Sequence, residues 1–114
     1  MATIYHNPRC SKSRQTLELL KSNGLEPQVI LYLQDTPNKT TLIKLIDQLG
    51  ISAEQLVRKS EVEFKDHFAS KQLSEDDYIE AMLSHPKLIE RPIVVIGERA
   101  VLGRPPENVL DLML

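Results

Sequence analysis

The chain has 114 residues, 41% of them hydrophobic and 26% charged, which fits a single globular domain, 1–114, able to bury one core. A formal net charge of −2 excludes a general nucleic-acid binder, which needs a dominant basic face. No apolar run approaches the length of a membrane span, the first residues carry no basic-then-apolar leader, and a single cysteine cannot close an internal disulfide, so the expected compartment is the reducing cytoplasm.

Thr3-Ile4-Tyr5 is a short β-prone run, stopped by the turn signal Asn7-Pro8. A helix is predicted from Ser11, with Leu17 and Leu20 inward and Asn23-Gly24 as its stop. The continuous apolar run Val29-Ile30-Leu31-Tyr32-Leu33 predicts a strand buried on both faces. After the Thr36-Pro37-Asn38 turn, Leu42, Leu45, Ile46 and Leu49 recur at helical spacing until Gly50. Ser52 and Gln55 match a capping box opening a short helix that carries Leu56, Val57 and Arg58.

The stretch from Glu61 to Lys71 is polar and weakly patterned, and no element is assigned to it. Ser74 followed by Glu75, Asp76 and Asp77 marks a helix start, with Ile79, Met82 and Leu83 inward and a stop before Pro86. Ile93-Val94-Val95-Ile96, Gly97-Glu98 and Arg99-Ala100-Val101-Leu102 read as an antiparallel hairpin. Pro105-Pro106-Glu107 opens a last helix that turns Val109, Leu110 and Met113 inward. The order is β-α-β, three helices, then β-β-α. With a cysteine at the first helix start, it points to an α/β, thioredoxin-like fold with a helical insertion between the second and third strands.

Cys10 lies in His6-Asn7-Pro8-Arg9-Cys10-Ser11-Lys12-Ser13-Arg14, where Arg9, Lys12 and Arg14 are the only charged side chains and the first acid of the chain is Glu18. Cations and the N-terminus of a helix both favour the thiolate, the nucleophilic form of cysteine, over an inert buried thiol. Ser13 stands where a Cys-x-x-Cys pair would have its second sulfur; its hydroxyl can donate to a thiolate but cannot resolve a mixed disulfide. A phosphatase-type loop needs Cys-x5-Arg, and the required place holds Thr16.

Arg91 and Arg104 each precede a proline, which restrains their backbones, and Arg104 stands at the start of the last helix, where anions are favoured. Arg91 also enters a strand where thioredoxin-like folds place a cis-proline beside the active cysteine. For both, and for Arg58, an ordinary solvated surface arginine is the alternative. His6 can help hold the thiolate or simply pack the turn. His67 and His85 have no partner at metal-ligand spacing, and no metal or tightly bound cofactor is expected.

The segment from His6 to Arg14 resembles the His-Asn-Pro-x-Cys-x-x-Ser-Arg signature of glutaredoxin-linked arsenate reductases. Further similarity runs through Ile30-Leu31-Tyr32-Leu33, Leu56-Val57-Arg58-Lys59, His85-Pro86, Glu90-Arg91-Pro92-Ile93-Val94-Val95 and Gly103-Arg104-Pro105. The resemblance implies that Cys10 attacks arsenate and that Arg58, Arg91 and Arg104 bind the oxyanion, with His6, Ser13 and Arg14 in support. It also implies glutathione as co-substrate and glutaredoxin as partner, since one cysteine leaves resolution to external thiols.

Ser11-Lys12 replaces the Gly-Thr of resistance-type members, and the chain ends at Leu114 without their charged extension, which is closer to a short branch of the family. Two other functions are compatible with the fold. One is a regulator that binds RNA polymerase, for which Ser13 removes the redox-switch disulfide; the other is a monothiol protein exchanging glutathione with its partners.

Overall fold

A computed structural model describes residues 1–113. The described chain divides into two compact units, Met1–Asp35 with the stretch from Arg91 onward, and Thr36–Glu90. The fold is thioredoxin-like α/β, with the second unit inserted between the second and third strands.

The first unit is built on strands β1 (Ala2–Tyr5), β2 (Gln28–Ile30), β3 (Ile93–Ile96) and β4 (Arg99–Leu102) in the order β2-β1-β3-β4. β1 runs parallel to β2 and antiparallel to β3, in a register that pairs Tyr5 with Ile30 on one side and Ile93 on the other. Helix α1 (Ser11–Ser22) crosses from β1 to β2. The β3–β4 hairpin closes on Gly97-Glu98, where Gly97 takes φ 63°. A side chain disfavours that conformation, so glycine suits this two-residue turn.

Ile4, Leu20, Val94 and Val109 are fully buried at the centre of this unit, with Leu112 nearly so and Leu17 packed against them. Each such side chain contributes about 1.5–3 kcal/mol of transfer free energy.

Two expectations for this unit are corrected. The apolar run from Val29 is not a strand buried on both faces. β2 is the sheet's outermost strand and ends at Ile30, and the chain then turns, the amides of Gln34 and Asp35 both donating to the Leu31 carbonyl at 2.9 and 2.8 Å. Val29, Leu31 and Leu33 are exposed while Tyr32 is buried.

The last helix, Pro106–Met113, is a 3-10 helix that buries the expected Val109 and packs the expected Met113 against the core, but it buries Pro106 and Leu112 in place of Leu110. Three residues per turn stack positions i, i+3 and i+6 on one face, which carries Leu112 inward and leaves Leu110 exposed.

The second unit is helical. Helix α2 (Lys39–Leu49) is capped by the Asn38 side chain and buries Leu42, Leu45 and Ile46. The capping box at Ser52 forms, but helix α3 (Ala53–Leu56) stops before Val57 and Arg58. Val57 turns extended there and bridges antiparallel to Ile89, and the Arg58 N–H donates to the Leu88 carbonyl at 2.7 Å.

The unassigned stretch holds a fourth helix of the insertion, α4 (Val62–His67), anchored by buried Phe64. One inward residue in six gives no periodic signal, so three helices were expected where there are four. Helix α5 (Glu75–Ser84) has a capping box between Ser74 and Asp77 and buries Ile79, Ala81 and Met82, with Leu83 half-buried. A 3-10 turn, Pro86–Leu88, follows it.

Candidate active site

Cys10 is the N-cap residue of α1: its backbone is extended, and its carbonyl accepts the first helical bond from the Arg14 N–H at 3.0 Å. Its own N–H donates back to the Asn7 carbonyl at 3.0 Å, closing the tight turn that Asn7-Pro8 signals. No side chain caps the helix, so the partly exposed thiol stands beside first-turn amides and the positive end of the dipole.

The loop is braced from within. The Arg14 guanidinium donates to the Pro8 carbonyl at 2.8 Å, and the Arg9 N–H to the Asn7 side chain at 3.0 Å. Ser13 is fully buried; its hydroxyl accepts from the Asn7 N–H at 3.1 Å and lies 2.6 Å from Nδ1 of His6, itself nearly buried. The hydrogen bonds of Ser13 therefore hold the loop. Burial, and then the charges of Arg14 and Lys21, keep the His6 pKa below the ordinary histidine value, so at neutral pH it acts as a neutral hydrogen-bonding group.

From the far end of the chain, Arg104 brings Nη1 to 3.7 Å from Sγ of Cys10 and 3.4 Å from the carbonyl of Arg91. The first is an ordinary N–H···S distance, so the cation faces the sulfur directly. The peptide bonds Arg91-Pro92 and Arg104-Pro105 are both cis.

Two residues passed over in the sequence register this arm on the helix. Thr16 is fully buried, and its hydroxyl donates to the carbonyls of Lys12, 2.7 Å away, and Gly103, 3.2 Å away. Gly103 in turn donates to the Pro92 carbonyl at 2.9 Å. Thr16 falls at helical spacing between inward Ser13 and Leu20, but apolar periodicity is blind to a buried threonine.

Arg58 lies in the second unit, where its guanidinium is held by two carboxylates: Nη1 by Glu61 at 3.1 Å and Nε by Glu90 at 3.3 Å. The structure thus brings Arg104 to the Cys10 sulfur, with the Arg91 carbonyl against the same guanidinium and His6, Ser13 and Arg14 shaping the loop. Among the described residues no group of three acidic, histidine or cysteine side chains is placed to hold a metal ion. No helix of these residues is long and apolar enough to cross a membrane.

Residues 5–112 match the ArsC family. The chain belongs to that family. It is 53% identical to "Uncharacterized protein YfgD" of Escherichia coli strain K12 over 96% of this chain and 94% of that one. It is also 46% identical to an arsenate reductase of Escherichia coli, over 97% of this chain and 79% of the relative. Among solved structures, the arsenate reductase from Vibrio cholerae superposes with a TM-score of 0.93 at 49% identity, covering 96% of this chain and 95% of that one. That solved relative shares the fold over nearly the whole of both chains.

Proposed function

We propose that this ArsC-family chain is an arsenate reductase in which Cys10 is the nucleophile and Arg91 and Arg104 hold the oxyanion, with Arg58 included as a third ligand on the family resemblance. The observation that carries this reading is the Arg104 guanidinium 3.7 Å from the Cys10 thiol at a helix start. A thiolate and an oxyanion are both negative, and they come together only where fixed cations and helix amides screen them. Guanidinium forks also match the oxygens of a tetrahedral anion, which a point-like ammonium does not.

In the proposed cycle the Cys10 thiolate displaces one oxygen of arsenate, which leaves as water after protonation, and a sulfur–arsenic(V) bond forms. Glutathione adds to arsenic and expels a second oxygen as water. A glutaredoxin thiolate then attacks the glutathione sulfur; the sulfur–arsenic bond breaks and its electron pair stays on arsenic, now arsenic(III). The two electrons come from two external thiols, which end as a mixed disulfide. Water releases arsenite and restores the Cys10 thiol. The lone cysteine supports this dependence on external thiols, which a reducing compartment such as the cytoplasm supplies.

Arsenate-dependent oxidation of glutathione, measured with glutaredoxin supplied, tests the reading. Cys10→Ser is expected to abolish turnover, and Arg104→Ala to lower kcat/KM by roughly 10²–10³-fold, as for removal of an oxyanion donor. Undiminished turnover by the Cys10→Ser protein overturns it. So does a deglutathionylation activity indifferent to arsenate and to Arg104.

A further inference from the structure

The Cys10 loop follows β1, the strand that has β2 on one side and β3 on the other. The two flanks of the loop are chemically opposite. On the β3 side stand Arg91 and Arg104, with the Arg104 cation on the sulfur. On the β2 side an open cleft of about 230 Å³ runs between residues His6 to Arg9 of the loop and Leu31, Leu33 and Gln34. Leu31 and Leu33 are 37% and 38% exposed in the turn that follows β2, beyond the strand's own Val29, 41% exposed.

We propose that this β2 flank is the docking surface for the reducing partner, a thiol-bearing protein that lays an extended apolar segment with acidic neighbours along β2 and into the cleft. The inference rests on the reading of Cys10 as a nucleophile resolved from outside. Three features carry it. The outermost strand offers its unpaired edge to an incoming strand, and side chains at alternate positions beside it set specificity. The cleft is walled by His6 to Arg9, the residues that lead directly into Cys10, so a segment seated there lies against the loop of the nucleophile and off the arginine flank.

Charge selects the partner. Among the described residues no carboxylate forms an ion pair with Arg9, which lines the cleft, or with Arg14, whose guanidinium lies on the carbonyl of Pro8 in its wall, so this edge is positive and favours acidic flanks. A small polar tripeptide thiol has no use for three exposed aliphatic side chains; a protein segment does.

The test couples two measurements on the whole chain, with a glutaredoxin as the thiol protein. In steady state, Leu31→Ser with Leu33→Ser is expected to raise the KM for glutaredoxin roughly tenfold, as for loss of interface anchors, while arsenate still protects Cys10 from iodoacetamide. On the unaltered chain, titration with a glutaredoxin lacking its resolving cysteine is expected to shift the backbone amide resonances of residues 28–34. That arm needs no substitution to fold and no arsenate chemistry.

An unchanged KM for glutaredoxin overturns the proposal, as does a KM change for glutathione alone. Amide shifts confined to the Arg91–Arg104 flank, or shifts that follow the chain's own concentration and so report a second copy, also overturn it. If arsenate neither protects Cys10 nor is turned over while residues 28–34 still respond, the arsenate reading fails and the docking surface stands.

Discussion

Gly103→Ala tests whether the Arg104 arm is registered on the Cys10 helix by direct packing. A β-carbon added at Gly103 would lie 2.5 Å from Oγ1 of Thr16, 2.8 Å from its Cγ2 and 2.8 Å from Cγ of Pro92. All three distances are well inside van der Waals contact, and none of the neighbours is a flexible side-chain end. Thr16 is fully buried and pinned by its bonds to Lys12 and Gly103, and the proline ring is rigid.

The strand end must therefore move away from α1, at the cost of overpacking a tight site, about 1–3 kcal/mol. For a chain of this size that lowers the thermal midpoint by roughly 4–12 °C. Arg104 is the next residue, so its guanidinium is displaced from the sulfur as well, and arsenate-dependent turnover is expected to fall by on the order of tenfold to a hundredfold.

The assay is a double-mutant cycle read by thermal unfolding and by turnover. Thr16→Ala alone opens a cavity and loses a hydrogen bond, but in the Gly103→Ala background it removes two of the three clashes. The two substitutions together are expected to be less destabilising than their sum by about 1 kcal/mol or more. Additive costs, or a Gly103→Ala protein as stable and active as the unaltered chain, refute the packing argument.

Two further outcomes follow from charge. Because burial and the charges of Arg14 and Lys21 lower the His6 pKa, the unfolded chain takes up that proton at higher pH than the folded one. The stability this gives is complete above the unfolded value of about 6.5 and is lost as pH falls from there toward the lowered folded value. Thermal midpoints between pH 7.5 and pH 5 should therefore fall less steeply for His6→Gln; equal slopes refute the assignment.

In the second unit, Arg58→Ala leaves Glu61 and Glu90 without the cation they share, a loss of about 1–3 kcal/mol for a half-buried pair, read from urea unfolding. Glu90→Gln in that background should restore part of it, and an Arg58→Ala protein as stable as the parent argues that the ion pairs hold nothing in place.

Local chemistry was legible wherever a signal and its partner lie within one turn. Ser52 with Gln55 and Ser74 with Asp77 close their capping boxes, Gly97-Glu98 turns the hairpin, and Asn7-Pro8 ends β1 and places Cys10 at a helix start. The basic character of the loop could be read from Arg9, Lys12 and Arg14 alone. So could the choice of Cys10 as the proposed nucleophile, since a lone cysteine among cations at a helix start is where a thiolate is favoured.

What the sequence could not settle was decided across long separations. Val29 to Leu33 reads as a doubly buried strand, but the burial of an apolar run depends on its place in the sheet, and β2 is outermost. The last helix follows a period of three, which exchanges Leu110 for Leu112, and pattern alone does not choose between periods so close.

Thr16 and Gly103 meet across 87 residues, and Arg104 reaches Cys10 across 94. Residue types and local spacing determine which groups are able to do chemistry, because propensity, capping and local charge act over a few bonds. Which of those groups share a site is decided only when the folded strands bring the two ends of the chain together around β1, since a contact's geometry belongs to the sheet that holds both partners.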